Sequence, residues 1–288
     1  MLISIVIATK DRAALLDGAL ASIAAQANAP ERQVIVVDNA STDATPAIAR
    51  KHGATYLYEP QPNRGKARNR GIAAATGSVV LFIDDDVVLP PHFLAAHAQA
   101  HDASLFPLVV SGPILNVPSA DERPKPGPAN FSNAFFCTCN VSVRKASLDA
   151  VGGFDESFDL YGWEDTELGL RLRAFDVRRT FAWDAYLWHI KPPTTETLDA
   201  ALAKTIEKAR MAARFVRKAP TARTKLATGA YAFNLLRAKA LAPRAAQPLF
   251  AGIASSPNVP PALASFARGL LLDSVYVDEL THALAAPE

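Results

Sequence analysis

Apolar and polar positions along the first hundred residues predict strand followed by helix, repeated. Ile3 to Ala8 is a continuous apolar run suited to a strand buried on both faces, and Asp11 to Ala27 follows with Leu16, Leu20 and Ile23 at helical spacing. Val34 to Val37 is a second β-rich run. It leads into Asp38-Asn39-Ala40-Ser41-Thr42-Asp43, a turn rich in capping residues before a short helix that Gly53 can close. Ala54 to Tyr58 reads as a third strand, residues 64–76 as a third helix ended by Gly77, and Ser78 to Ile83 as a fourth strand. This order implies a doubly wound α/β fold on a mostly parallel sheet.

Beyond residue 103 the pattern is mixed. Residues 117–130 hold four prolines and no apolar period, which reads as a long loop. Phe135 to Val143 suits a strand, and Arg144 to Val151 a helix closed by Gly152-Gly153. Glu164 to Phe175 suits a helix with Leu168, Leu172 and Phe175 inward; Val177 to Trp183 and Tyr186 to His189 complete the β signals. From about Pro192 the chain is alanine-rich and helical, with Leu198, Leu202, Ile206, Ala209, Ala213 and Val216 on one face. The expected division is therefore an α/β domain over 1–195 and a helical C-terminal extension over 196–288.

Charge changes this picture only when it is split. The whole chain carries 30 Lys and Arg against 28 Asp and Glu, a net +2 that excludes a generally basic nucleic-acid binder. Residues 1–198 sum to −4, residues 199–246 to +9 and residues 247–288 to −3. The basic block leaves three roles open: a solvated helix face, peripheral contact with acidic head groups, or self-association. Its alanine-rich apolar face, poor for insertion, favours the solvated or oligomer-facing helix. Cys137 and Cys139 are too close for an unstrained disulfide and too few for a zinc site, which gives a reduced, cytoplasmic expectation. The first residues lack the basic segment and cleavage site of a signal peptide, and prolines interrupt both uncharged stretches long enough to test for membrane spanning. The expected location is the cytoplasm, with the inner face of the membrane as a peripheral site.

In parallel sheets ligands lie beyond the carboxyl ends of the strands. Thr9-Lys10-Asp11-Arg12, Asp38-Asn39, Asn63-Arg64-Gly65 and Asp84-Asp85-Asp86 follow strands and would converge there. Three adjacent carboxylates after a buried strand are costly without a cation or water. Asp84 and Asp86, two apart, would face one ion in extended chain, and oxygen ligands suit Mg²⁺ or Mn²⁺; the alternative is a solvated turn. Asp38 could accept from a nucleoside or cap its turn. Arg64, Lys66, Arg68 and Arg70 crowd a helix start, where phosphate binds well, or form a solvated face. Glu164 and Asp165 open a helix, where acidic residues complement the dipole or where one serves as general base; Trp163 offers a flat face for a sugar.

Taken in order, Ser4 to Arg12, Val37 to Asp43, Asn63-Arg64-Gly65 to Gly71, Phe82 to Asp86, Gly152-Gly153-Phe154-Asp155 and Trp163-Glu164-Asp165 resemble the family 2 glycosyltransferases of the GT-A fold, over about residues 1–190. The resemblance implies an inverting, metal-dependent transfer of a sugar from a nucleotide donor, most often a UDP-sugar, to a glycan, lipid-linked or small-molecule acceptor. It assigns Asp165 as base with Glu164 as the alternative, and Asp84, Asp86 and His189 to Mn²⁺ or Mg²⁺. Thr9, Asp11, Arg12, Asp38, Asn63, Arg68, Asp84, Asp85, Gly153 and Trp163 fall to the nucleotide sugar. The short loop after Asn63 leaves both Arg64 and Arg68 open as the nucleotide contact. Competing readings are a nucleotidyltransferase, which would show a glycine-rich loop after the first strand that Ala8 to Arg12 lacks, and a silent carbohydrate-binding protein, which would have no need of the acidic residues present here.

Overall fold

A computed structural model describes residues 1–192 and 196–286. The chain forms two compact units, Met1–Asp159 with Glu164–Thr194, and Leu160–Trp163 with Thr195–Glu288. The expected boundary at 195/196 adjoins residues outside the described set.

The first unit opens with β1 (Ile3–Thr9), α1 (Ala13–Ala24), β2 (Arg32–Asp38), α2 (Thr45–Lys51), β3 (Thr55–Tyr58), α3 (Arg64–Ala74) and β4 (Val79–Ile83). It continues through β5 (Val87–Val88), α4 (Phe93–Asp102), β6 (Leu108–Ser111), β7 (Ile114–Val117), β8 (Asn140–Arg144), α5 (Lys145–Val151), α6 (Glu164–Ala174), β9 (Arg178–Phe181) and β10 (Leu187–Ile190). Seven strands form one sheet in the order β3-β2-β1-β4-β8-β6-β9, in which β8 runs antiparallel to both neighbours while the other pairings are parallel. A second sheet, β5-β10-β7, has no counterpart in the sequence expectations as a sheet.

Two apolar layers sandwich the large sheet, as strict side-chain alternation requires. Ile3, Ile5, Ile7, Leu81 and Ile83 face α1 and α4, whereas Val6, Val80 and Phe82 face the layer that includes Ile72, Leu168 and Leu172. Helix α3 lies tight on the sheet: a Cβ on Gly71 would stand 2.4 Å from Val6 Cγ1. Phe175, expected inward, is exposed, because α6 ends at Ala174 before that residue can complete the apolar stripe.

One buried polar run crosses the first layer. Asn140 Nδ2 donates to the carbonyls of Pro113 and Ala185, so its Oδ1 accepts from His97 Nε2 at 3.1 Å. His97 Nδ1 then accepts from the Ser142 hydroxyl at 2.8 Å, and Ser142 Oγ accepts from His101 Nε2 at 2.9 Å. Burial holds the His97 and His101 pKa values down to about 4 and about 3, so both rings are neutral at pH 7.

The second unit consists of α7 (Leu198–Lys218), α8 (Ala222–Thr228), α9 (Ala232–Leu241), α10 (Gln247–Ser255) and α11 (Pro261–Ala285). Helix α7 buries Ala209, Ala212, Ala213, Phe215 and Val216, and its core pairs these alanines with Leu280 of α11.

Candidate active site

The ends of β1, β2 and β4 form one polar edge of the large sheet. Asp11 and Ala40 both hold positive φ (52° and 64°), a strained backbone for residues other than glycine. Cross-loop hydrogen bonds over-determine these turns: Asp11 Oδ1 accepts from the Thr42 amide at 2.7 Å, the Asp11 amide donates to Ser41 Oγ at 2.9 Å, and Asp43 Oδ2 caps α1 through the Ala13 amide.

Asp38 is fully buried. Its Oδ1 accepts from the Ser41 amide at 2.7 Å and its Oδ2 from the Tyr56 hydroxyl at 2.9 Å. That is the capping geometry, with the Tyr56 phenol pushed up to about 12 by burial and the adjacent carboxylate. Asn39 ties the loops together, donating to the carbonyls of Glu59 and Gln61 and accepting from the Asn63 amide. Asn63 in turn caps α3 through the Lys66 amide, the N-terminal signal expected for a helix that starts after a loop.

The three consecutive aspartates diverge. Asp85 accepts from Thr9 Oγ1 at 2.7 Å and from Arg12 NH1 at 3.0 Å; burial nevertheless prevails and raises its carboxyl pKa. Asp86 accepts from Arg12 at 2.9 Å and faces His189 Nε2 at 3.0 Å. Burial alone would push Asp86 up, but the His189 hydrogen bond and the charges of His189, Arg12 and Lys191 outweigh it and hold the carboxyl below its ordinary value. Asp84 turns to another set of neighbours: oxygen, sulfur and nitrogen donors of Asp84, Cys139 and His189 lie within 4.8 Å of one another. Burial, then the Asp84 charge, raise the Cys139 thiol pKa. Cys139 was absent from the expected ligands. The β4–β8 register supplies it, since Ile83 pairs with Asn140 and the preceding cysteine therefore comes opposite the residue after Ile83.

A second arginine organises the other carboxylates. Arg68 is buried, its NH1 2.9 Å from Glu164 Oε1 and its guanidinium 5.6 Å from the Phe154 ring centroid. Desolvation disfavours its charge, yet Glu164, Asp84 and Asp165 more than compensate and raise its pKa. Neighbouring Lys66 and Arg70 turn away to Glu59, at 3.3 and 3.6 Å. Glu164 Oε2 is buried without a hydrogen-bond partner among the described residues. Asp165 is half-buried. Desolvation, then the Glu164 charge, push its carboxyl up against the opposing pull of Arg68 and of the Thr166 and Thr138 amides. A raised carboxyl beside a cation-paired one is the division of labour expected of acid and base groups.

Two expected contacts acquire different surroundings. Gly153 (φ 68°) is buried in the turn after α5, where Asn69 Oδ1 accepts from the Phe154 amide and would stand 2.6 Å from any added Cβ. The turn's demand for glycine is therefore one of backbone and packing. Trp163 belongs to the second unit. Its indole donates to the Lys208 carbonyl at 2.9 Å, with Lys208 Nζ 5.6 Å from the ring centroid and Phe215 packed at 6.2 Å, so α7 holds the ring.

This sheet with carboxylates at its strand ends defines a class. Residues 4–147 match glycosyl transferase family 2, and residues 120–187 match a family described as the N-terminal domain of galactosyltransferase. The chain belongs to glycosyl transferase family 2 and has the GT-A fold. Validoxylamine A glucosyltransferase of Streptomyces hygroscopicus subsp. limoneus is 30% identical over 264 residues, spanning 76% of this chain and 57% of that protein. The same enzyme from subspecies jinggangensis is 30% identical with 61% of its length covered, so the chain spans about three fifths of these two relatives. A mannosyltransferase from Pyrobaculum calidifontis, solved with GDP-Man and Mn²⁺, superposes with a TM-score of 0.66 at 22% identity over 98% of this chain and 86% of that one. S. aureus TarS residues 1–349, solved with UDP-GlcNAc, gives 0.56 at 19% identity over 98% and 91%. At such identities the likeness is one of fold.

Proposed function

We propose that this chain transfers a sugar, with inversion, from a nucleoside-diphosphate sugar to an acceptor hydroxyl, and that Asp165 is the general base. The observation that carries the reading is the Arg68–Glu164–Asp165 group. Arg68 pairs with Glu164, and burial and the neighbouring negative charge make Asp165 more basic than an ordinary carboxylate. Asp165 takes the acceptor proton while the hydroxyl oxygen attacks the anomeric carbon from the face opposite the diphosphate. Such base assistance contributes about 10² to 10⁴ in rate. The unpartnered Oε2 of Glu164 is an acceptor for a sugar hydroxyl.

Asp84 and His189, with Asp86 beside them, offer the oxygen and imidazole donors that fit a divalent cation, and the Cys139 sulfur within the same reach is a softer donor that favours Mn²⁺ over Mg²⁺. A bound Mn²⁺ or Mg²⁺ would neutralise charge on the leaving diphosphate. Asn116 Oδ1, 3.1 Å from His189 Nδ1, fixes the ring so that Nε2 points toward Asp86. Arg12, half-exposed and paired with Asp85 and Asp86, is placed to exchange those carboxylates for donor phosphates. Asp11, Asp38 and Asn63 act by holding the nucleoside-side loops in shape. A UDP-sugar is the favoured donor and a glycan or small glycoside the favoured acceptor; the UDP-GlcNAc and GDP-Man bound by the two solved relatives define the first compounds to try.

The test is a panel of nucleotide sugars with and without Mn²⁺, scored by thermal shift and by release of nucleoside diphosphate. One donor should raise the melting temperature in a Mn²⁺-dependent way and release its diphosphate slowly by hydrolysis. Failure of every nucleotide to stabilise the chain would overturn the reading.

A further inference from the structure

Residues 208–272 contain eleven Lys and Arg and no Asp or Glu. In the same stretch Leu226, Phe233, Leu236, Leu241, Leu249 and Phe266 are each 59–73% exposed. Large apolar side chains lie outward along this stretch. Helix α9 buries Ala238 and exposes Phe233 and Leu236, one turn apart on a shared face; α11 buries Ala267 and exposes Phe266; α10 buries no residue and exposes Leu249. On α9 an alanine is thus inward and the large apolar side chains are outward, whereas α11 carries its outward Phe266 near its start and buries Leu271, Val277 and Leu280 farther along.

The cations divide in the same way. Arg210, Arg237 and Arg268 pair with Glu279, Asp273 and Glu196, all outside the acid-free stretch. Arg223 and Lys225, either side of Thr224 on α8, and Arg244, in the turn before α10, are exposed and have no carboxylate partner among the described residues. Exposed Phe and Leu call for an apolar partner, and unpaired Arg and Lys for an anionic one. A polyanion such as RNA or an acidic glycan satisfies the cations and leaves the Phe and Leu side chains in water. A second copy docked through the same surface covers the apolar residues but sets cation against cation. The surface of an anionic bilayer meets both demands within a few ångströms of depth.

We infer that α8, α9, α10 and the first turns of α11 form a peripheral docking surface for a bilayer bearing anionic phospholipid, with Phe233, Leu236 and Phe266 reaching below the head groups and Arg223, Lys225 and Arg244 at their level. No helix among the described residues is long and apolar enough to cross the membrane, so the attachment is by surface contact. The inference stands on the second unit alone and is independent of the transfer chemistry proposed for the first.

Flotation of the full chain with vesicles tests it. Vesicles containing phosphatidylglycerol should carry the protein up at low salt, phosphatidylcholine vesicles should not, and high salt should release it. Phe233→Ser with Leu236→Ser, and separately Arg223→Glu with Lys225→Glu, should each weaken flotation at least about tenfold. Unchanged circular dichroism and melting temperature would show that these exposed positions leave the fold intact. Absence of flotation with anionic vesicles overturns the inference. Flotation that survives Phe233→Ser with Leu236→Ser overturns it in favour of a purely electrostatic, polyanion-type contact, and a dimer in solution that this apolar variant dissociates, without vesicle binding, assigns the surface to a second copy.

Discussion

Arg12 and Arg68 each pair with carboxylates at the same edge of the sheet, and burial makes them different devices. The Arg12 side chain is 49% exposed and reaches Asp85 and Asp86 from solvent; the Arg68 side chain is 10% exposed and meets Glu164 under the Phe154 ring. An exposed guanidinium can leave its partners at little cost, because water takes over its hydrogen bonds. A buried one cannot, since departure strands a charge in low dielectric. One arginine therefore suits exchange with an incoming anion, and the other suits permanent bias of a proton-transfer group.

Asp165→Asn gives the largest expected effect. It removes the proposed base and should lower turnover by about 10² to 10⁴ with donor-induced thermal shift retained. Asp165 has a folded pKa above its unfolded value, so the folded chain holds this proton more tightly and loses stability as pH rises from the ordinary carboxylate range through the raised value. The Asp165→Asn variant escapes that loss. Although inactive, it should therefore melt higher than the parent at neutral pH, and a lower melting temperature would contradict the assignment.

Arg68→Met should come next. Leaving Glu164 buried and unpaired costs about 3 to 5 kcal/mol, measurable by urea unfolding. Because Arg68 pulls the Asp165 carboxyl down, its loss should also move the acidic limb of the rate profile to higher pH, which simple loosening of the fold would not do. Arg12→Met is the matched comparison: a smaller stability loss than Arg68→Met, a weakened donor affinity, and an unshifted acidic limb. If the two arginine variants behaved alike, the distinction drawn from burial would fail.

The smallest effect concerns Cys139. With Co²⁺ as a spectroscopic probe, the parent should show a sulfur-to-metal absorption band in the near ultraviolet that Cys139→Ser abolishes, while Co²⁺ still binds through Asp84 and His189. A band that persists in the serine variant would remove the thiol from the ligand set.

The parts of this edge that were legible in sequence are those with a local signal. Apolar runs marked β1, β2 and β4, whose strands bury side chains on both faces, and Asn63 announced α3 by capping it. β4 ends at Ile83, so Asp84 to Asp86 lie in a bend to which strand alternation does not apply, yet Asp84 and Asp86 both approach His189. Cys139 was hidden by topology. Its place beside Asp84 depends on β8 entering an otherwise parallel sheet antiparallel, a pairing between segments some sixty residues apart that no local pattern encodes. The small β5-β10-β7 sheet was missed for a related reason: strands of two to four residues are too short to show a period. In the second unit alanine spacing located the buried side of α7 at Ala209, Ala213 and Val216, but the outward placement of Phe233 and Leu236 follows from tertiary packing that propensity does not foretell.

The run from Asn140 through His97 and Ser142 to His101 has one permitted arrangement of hydrogens, because the two carbonyls held by the Asn140 amide dictate every donor after it. It is a sentence that reads in one direction only. Its last word is the bare Nδ1 of His101, a buried lone pair with nothing to accept among the described residues. Replacing Asn140 by Asp would erase the amide protons at the start and invite a proton onto His97, so the whole run would gain or reverse its order together rather than one bond at a time.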